Sequence, residues 1–228
     1  MESDSKKITV DLIRHGEPEG GHIVRGRVNP VLTALGWEQM RLATGLNEDY
    51  SPSSATPRFS RIVTSPLSRC KDFAQRLGAR AELEVSVNES WQEIDYGDWD
   101  GMPAEEWRRI AADQFRAFRE DITALAPPNG ETFLDFRDRV MSAWDTILQS
   151  EDAEHILLVT HGGVLRVILP MVLGMPMNRS FPLYIPFACF SRVSIEIRDG
   201  KAHPALIFHN GAEYSGSWMD LPKESSPG

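Results

Sequence analysis

Two histidine–glycine pairs are the residues of this sequence best suited to chemistry. His15 is the middle residue of an Arg-His-Gly tripeptide, and His161 begins a His-Gly-Gly tripeptide. Each pair directly follows an apolar, β-branched stretch that is typical of a strand. Because the carboxyl ends of parallel strands meet at one edge of a sheet, we expect these two imidazoles, remote in sequence, to share one site.

The residues beside the histidines favour an anionic ligand. Arg14 precedes the first histidine, and Arg69 lies in the first turn of a predicted helix, from which it can point to the same edge. Gly16 is expected to let the ligand approach the backbone closely. Gly162 would begin a helix whose free amides and positive dipole end attract anions. Since guanidinium groups bind phosphoryl oxygens bidentately, a phosphate group is the expected occupant.

The chemistry predicted for this site is attack on phosphorus by an imidazole. The neighbouring arginines disfavour imidazolium, so His15 is expected to stay neutral and keep a lone pair. His161 and the two arginines would then neutralise the phosphoryl oxygens in the transition state. A leaving alkoxide also needs a proton. Glu93, in a glycine-punctuated stretch predicted to form a loop over the site, is the candidate donor.

The elements that must position these residues alternate between strand and helix. The predicted strands are Ile8–Ile13, Arg61–Thr64 and His155–Thr160. The predicted helices run from the cap Thr33 to about Asn47, from the cap Ser65 with Pro66 in the first turn, and from Gly162 to about Leu173. An alternating strand around residues 193–197 and an Asp199-Gly200 turn predict a terminal hairpin. This order predicts an α/β three-layer sandwich with a mostly parallel sheet and a C-terminal β-hairpin.

The composition predicts one soluble, cytoplasmic domain over residues 1–228. The chain carries 24 Lys and Arg against 33 Asp and Glu, a net charge of −9, which argues against a diffuse basic surface for nucleic acid or membrane. No apolar stretch is long enough to span a bilayer, no signal peptide is recognisable, and the two cysteines have no metal or redox spacing. A helical insertion is predicted at about 102–150, with apolar stripes that read as core faces, and a frayed tail at about 222–228.

Four sequence blocks resemble those of the histidine phosphatase superfamily, also called phosphoglycerate-mutase-like. They are Arg-His-Gly-Glu at 14–17, Ser-Pro-Leu-Ser-Arg-Cys at 65–70, Glu-Ile-Asp-Tyr-Gly-Asp-Trp-Asp-Gly at 93–101 and Val-Thr-His-Gly-Gly at 159–163. The resemblance implies that His15 is the phosphorylated nucleophile, that Arg14, Arg69 and His161 form the phosphate pocket, and that Glu93 donates the proton. Within the superfamily the chain is most similar to the α-ribazole phosphatase branch of cobalamin synthesis.

The sequence also departs from the family pattern. Pro18 and Gly21 stand where many members have Ser or Thr and Asn. Arg25 and Arg27 are candidates to replace the missing polar contact, and Arg25 is either a substrate contact or an exposed loop charge. The stretch from Arg25 to Thr33 does not resemble the mutase branch, and this difference favours a phosphatase.

The predicted function is therefore hydrolysis of a small-molecule phosphomonoester, α-ribazole 5′-phosphate in the first instance, without metal or cofactor. The alternatives are a phosphatase for a phosphosugar, nucleotide or protein phosphohistidine, a mutase, or a phosphate-binding sensor that turns nothing over. The carboxylates of Asp95, Asp98 and Asp100 are interpreted as solvated loop side chains, and metal binding is the less favoured alternative. A cysteine-phosphatase spacing from Cys70 to Arg76 falls on a helical pattern and is read as chance. The sequence leaves the oligomeric state open.

Overall fold

Six β-strands form one sheet in the computed structural model, which describes residues 6–149, 154–180 and 182–211. The strands are β1 (Lys6–Arg14), β2 (Arg61–Thr64), β3 (Val85–Val87), β4 (His155–Thr160), β5 (Phe190–Arg198) and β6 (Lys201–Phe208). Their order across the sheet is β3-β2-β4-β1-β5-β6. The first four run parallel to one another, and β5 and β6 add an antiparallel hairpin beside β1.

The placement of the two histidines follows from this order. Strands β1 and β4 are hydrogen-bonded neighbours, with Arg14 opposite Thr160 at their carboxyl ends. The next residue of each strand is therefore a histidine, and both lie at the same edge of the sheet. This is the arrangement expected from parallel strand ends.

Helices cover both faces of the sheet. The described helices are α1 (Ala34–Ala43), α2 (Ser68–Ala81), α3 (Ala104–Ile110), α4 (Ala112–Glu120), α5 (Phe133–Leu148) and α6 (Gly162–Val172). One apolar cluster joins Ile13 and Leu157 of the sheet to α1 and α2, and the other joins Leu12 and Leu158 to α5 and α6. Because successive strand residues point to opposite faces, these neighbours separate the two layers. The predicted three-layer α/β sandwich is confirmed.

Local sequence signals account for several element ends. The Thr33 hydroxyl accepts a hydrogen bond from the Gly36 amide at 2.9 Å and caps α1, as predicted. Asp199 and Gly200 both have positive φ and form the turn of the terminal hairpin, where β6 begins at Lys201.

Three details differ from the sequence predictions. Helix α1 ends at Ala43 rather than near Asn47, since the chain turns at Gly45 with a φ of 68°. Helix α2 begins at Ser68 with Leu67 at its N-cap, so Ser65 does not cap it. The short strand β3 was not predicted, because its three residues carry too little periodicity to register.

The predicted insertion contains α3, α4 and α5, and its apolar stripes contribute to the core on the α5 face of the sheet. The single domain over residues 1–228 stays a prediction, and the predicted frayed tail lies outside the described residues. In the part of the chain that the structure describes, no helix has both the length and the apolar character to cross a bilayer.

Candidate active site

The two imidazoles lie face to edge in the protein interior. The ring centroids of His15 and His161 are 5.3 Å apart, with the ring planes inclined by 64°. His15 is 3% exposed and His161 is fully buried. The structure thus brings together the two histidines that the sequence placed at neighbouring strand ends.

The orientation of His15 determines which nitrogen is free to react. Its Nδ1 lies 2.8 Å from the carbonyl oxygen of Gly16, which can only accept, so Nδ1 carries the hydrogen and Nε2 keeps its lone pair. Burial, followed by the positive charges of Arg69 and Arg14, lowers the pKa of His15 well below its ordinary value of 6.5. The imidazole is therefore neutral at pH 7, with its nucleophilic nitrogen unprotonated.

Gly16 allows close packing of the chain after β1 against α1. A Cβ atom at this position would lie 2.1 Å from the carbonyl oxygen of Gly36, in the first turn of α1. A Cβ at Gly36 would in turn meet the carbonyl oxygen of Glu17 at 2.1 Å. The two glycines allow the backbone after β1 to contact the backbone of α1, which fixes the loop that carries His15.

Arg14 and Arg69 flank the histidines and are anchored by backbone carbonyls. Arg14 donates to the carbonyl of Ile185 at 2.7 Å, and its guanidinium lies over the ring of Phe187 at 4.3 Å. Arg69 is fully buried and donates to the carbonyls of Gly26 and Val28, each at 2.8 Å. Burial lowers the pKa of both arginines.

Neither arginine has all its donors satisfied. The Nε atoms of Arg14 and Arg69 are buried without a hydrogen-bond partner among the described residues. A Cβ at Gly162 would lie 3.3 Å from the Nε of Arg14, so the N-terminus of α6 and this guanidinium share one space. Buried positive charge with unsatisfied donors beside a helix N-terminus attracts a multivalent anion.

His161 contacts a residue that sequence reasoning assigned to another role. Its Nε2 lies 2.7 Å from the hydroxyl of Ser65, the serine that was expected to cap α2. The Ser65 hydroxyl also accepts a longer bond from the Leu67 amide at 3.3 Å, and Cys70 Sγ lies 3.6 Å from the same imidazole nitrogen. Burial, followed by the charge of Arg69, lowers the pKa of His161 well below 6.5.

The carboxylate of Glu93 is held at the N-terminus of α6. One oxygen accepts from the Gly163 amide and the other from the Ile94 amide, both at 3.0 Å. A Cβ at Gly163 would lie 2.1 Å from the carboxylate, so the side chain fits here because this position is glycine. The sequence placed Glu93 in a loop over the site, and the structure brings it to the helix that follows His161.

The three aspartates of the same loop have distinct contacts. Asp100 accepts hydrogen bonds from three successive amides at residues 26–28, Asp95 accepts from the Gly97 amide, and Asp98 accepts from the side chain of Asn129. No group of three or more His, Cys, Asp or Glu side chains in the described ranges is arranged to hold a metal ion. The absence of a metal requirement stays a prediction.

The two further arginine candidates lie at the edge of the site. Arg25 donates to the carbonyls of Glu19 and Gly21 at 3.1 and 2.8 Å, and burial, then the charge of Arg69, lowers its pKa to about 10. Arg27 lies 3.9 Å from the carboxylate of Glu131. Arg25 lines a cavity together with Arg14 and Glu93, whereas Arg27 pairs with Glu131, just before α5.

A cavity of about 320 Å³ opens beside Arg14 and Glu93. Its polar lining comprises the side chains of Arg14, Arg25, Glu93, Arg108 and Arg166, together with Gly162 and Gly163. Its remaining wall is mostly aromatic and aliphatic, with Tyr96, Trp107, Phe115, Phe118, Phe133 and Phe136 among its members. The helical stripes that were expected to be core faces thus also line a ligand-sized space. Arg166, which also lines the cavity, was missed because it lies mid-helix.

Three other histidines, and the Cys70–Arg76 pair with its cysteine-phosphatase spacing, have environments of their own. His22 and His203 are exposed, and His209 bonds Ser191 beside the terminal hairpin. Cys70 and Arg76 both lie in α2, where the guanidinium stacks on Tyr50 at 3.9 Å. A helix cannot form the phosphate-cradling loop that a cysteine phosphatase needs, so the spacing is fortuitous.

The fold and the paired histidines define a known class of protein. The sequence model of the histidine phosphatase superfamily (branch 1) matches residues 10–206, and the chain belongs to that superfamily. The predicted family resemblance is confirmed.

The sequence is also similar to several individual proteins. The chain is 27% identical over 186 residues to the adenosylcobalamin/alpha-ribazole phosphatase of Escherichia coli, covering 81% of this chain and 88% of the relative. It is 30% identical over 176 residues to a glucosyl-3-phosphoglycerate phosphatase of Mycolicibacterium vanbaalenii, covering 73% and 75%. It is also 29% identical over 202 residues to a bifunctional protein of Mycobacterium tuberculosis, of whose length the match spans 53%, about half, and 88% of this chain.

Solved structures show the same fold. The alpha-ribazole phosphatase of Shigella flexneri superposes with a TM-score of 0.74 at 26% identity, covering 90% of this chain and 97% of the other. At these identities the relatives share the fold and family of this chain, and they carry different substrate names.

Proposed function

We propose that this protein hydrolyses phosphomonoesters through a phosphohistidine formed on His15. The observation that carries the proposal is the state of His15: a buried, neutral imidazole whose Nδ1–H is fixed by Gly16 and whose Nε2 is free, facing a second histidine at 5.3 Å. Arg14 and Arg69 supply the positive charge that a phosphoryl dianion requires.

The first step transfers the phosphoryl group to the enzyme. His15 Nε2 attacks phosphorus, the N–P bond forms, and the bond from phosphorus to the ester oxygen breaks. The protonated carboxyl of Glu93, which lines the cavity where the alcohol part would lie, gives its proton to the leaving oxygen. Arg14, Arg69 and His161 donate to the phosphoryl oxygens as their charge spreads in the transition state.

The second step restores the enzyme. The Glu93 carboxylate, now ionised, takes a proton from a water molecule that attacks the phosphohistidine, the N–P bond breaks, and inorganic phosphate leaves. His15 is again neutral and Glu93 again protonated, so atoms and charge balance over the cycle. No metal or cofactor is needed in this scheme.

The substrate we propose is α-ribazole 5′-phosphate, as part of cobalamin synthesis in the cytoplasm. A cavity of about 320 Å³ that combines aromatic and aliphatic side chains with arginines suits a phosphate ester whose alcohol part carries an aromatic base. The names of the Escherichia coli and Shigella flexneri relatives support the same choice. A phosphosugar-type ester is the second candidate, because a relative at 30% identity is named for glucosyl-3-phosphoglycerate.

The proposal is tested by trapping the intermediate. We expect a labelled phosphomonoester, followed by an alkaline quench, to leave an acid-labile phosphoryl group on His15, located by mass spectrometry. Phosphate binding without any trapped group or turnover would contradict the proposal and favour a sensor. Activity lost to a chelator and restored only by a divalent ion would contradict the metal-free scheme.

Substrate choice is tested by kcat/KM over a panel. α-Ribazole 5′-phosphate should exceed glucosyl-3-phosphoglycerate, 3-phosphoglycerate and nucleoside monophosphates at least tenfold. A polar phosphosugar as the preferred substrate would overturn the α-ribazole assignment and leave the phosphohistidine mechanism intact.

A further inference from the structure

We infer that Asp100 is a positioning residue that fixes Arg69 toward the phosphoryl group by holding the loop at residues 26–28. This inference rests on the proposed function, since it assigns Arg69 a phosphoryl ligand. Asp100 lies in the loop that also carries Glu93, and nothing in the phosphohistidine scheme itself requires it.

The amide side of the loop is held entirely by one carboxylate. Asp100 Oδ1 accepts from the Gly26 amide at 2.7 Å, and Oδ2 accepts from the amides of Arg27 and Val28 at 2.8 and 2.7 Å. Three successive N–H groups that converge on one carboxylate form a nest, in which the negative charge replaces the water that the amides would otherwise bind. The loop therefore has one strongly preferred conformation.

The carbonyl side of the same loop is held by Arg69. Its Nη1 and Nη2 donate to the carbonyls of Val28 and Gly26, each at 2.8 Å. Two bonds to fixed acceptors determine the plane of a guanidinium group. The Nε of Arg69 is left buried and without a partner among the described residues. Burial, followed by the charge of Arg69, lowers the pKa of both His15 and His161.

A third contact ties the loop to the segment of the proposed acid. A Cβ at Gly26 would lie 2.4 Å from the carbonyl oxygen of Ile94, the residue after Glu93. The loop thus contacts that segment at both ends, through Gly26 against Ile94 and through the Asp100 carboxylate. Displacing the loop would move the acceptors that orient Arg69 and leave Glu93 on its own anchors at α6.

The test is the affinity of the folded protein for inorganic phosphate, measured by calorimetry. Asp100→Asn keeps the size of the side chain, but its amide group presents N–H donors to N–H donors. We expect the Kd for phosphate to rise at least tenfold and KM for nitrophenyl phosphate to rise with it. The matched control is Asp98→Asn in the same loop, whose carboxylate bonds the exposed side chain of Asn129 and should leave the Kd unchanged.

A second variant guards against a folding defect. Gly26→Ala displaces the loop from the Ile94 side and keeps Asp100, so it should weaken phosphate binding in the same way if the loop orients Arg69. A folded Asp100→Asn protein, or a folded Gly26→Ala protein, that binds phosphate as the wild type does would overturn the inference. Because binding is measured without turnover, an inactive wild type that still binds phosphate contradicts only the proposed function.

Discussion

Two clusters along β1 contain the same kinds of side chain and balance their charges differently. In the first, the fully buried Asp11 accepts two bonds from Arg192 at 2.7 and 2.8 Å and contacts His155 Nε2 at 2.9 Å. The bidentate carboxylate raises the pKa of Arg192. The chain supplies its own counter-ion there, and the cluster is complete.

The second cluster, at the carboxyl end of β1, is not complete in this sense. Arg14 and Arg69 donate to backbone carbonyls, and each keeps a buried Nε without a partner among the described residues. The nearby carboxylate of Glu93 is turned to the amide of Gly163. A histidine and an arginine near β1 are therefore structural where the fold provides the anion. Where the arginines keep unsatisfied donors, we propose that an external anion binds.

The largest expected effect distinguishes His15 of the second cluster from His155 of the first. His15→Ala removes the proposed nucleophile, so kcat/KM should fall by on the order of 10⁴-fold or more, with no trapped phosphoenzyme. His155→Ala, in the complete cluster, should lower Tm and leave kcat/KM within about twofold. Equal activity losses in the two variants would remove the distinction between the clusters.

Next, loss of the Glu93 carboxyl group should affect poor leaving groups more than good ones. Glu93→Gln keeps an acceptor for the Gly163 amide and removes the proton donor, so turnover of alkyl phosphates should fall by about 10² to 10⁴. Turnover of nitrophenyl phosphate, whose leaving group hardly needs a proton, should fall far less. Parallel losses on both substrates in steady-state assays would exclude Glu93 as the acid.

A stability measurement tests the complete cluster. Arg192→Met leaves the buried carboxylate of Asp11 without its bidentate partner, and should lower the free energy of unfolding by about 1 to 3 kcal/mol in urea titrations. Arg198→Met is the control: its partner Glu196 is 40% exposed and the pair is screened by solvent, so the loss should be much smaller. A similar small loss for Arg192→Met would show that Asp11 does not depend on this pairing.

The smallest effect concerns pH. The folded pKa values of His15 and His161 lie well below 6.5, whereas the unfolded chain protonates its histidines near 6.5. Below pH 6.5 the unfolded state thus binds more protons, and the free energy of unfolding should fall by at most about 1.4 kcal/mol per pH unit for each histidine. His161→Gln should reduce that slope, and an identical slope in the variant would contradict the buried neutral state of His161.

The sequence alone supported the main features of the fold and the candidate site because their signals are local. Each signal involves residues close together in the sequence. Examples are the alternation of β-branched residues in a strand, the helix cap at Thr33 and the Asp-Gly turn at Asp199. Two histidines after two such strands could then be placed at one sheet edge from the parallel order, and the ring separation of 5.3 Å agrees with that placement.

Only the tertiary structure decided which side chains complete the site. Ser65 has the local signature of a helix cap, yet its hydroxyl bonds His161, 96 residues away, and Asp100 binds amides more than 70 residues earlier in the chain. The apolar stripe around Trp107 lines a cavity as well as the core. Such contacts depend on how whole elements pack, and a residue's type and near neighbours carry no information about a partner brought to it by folding.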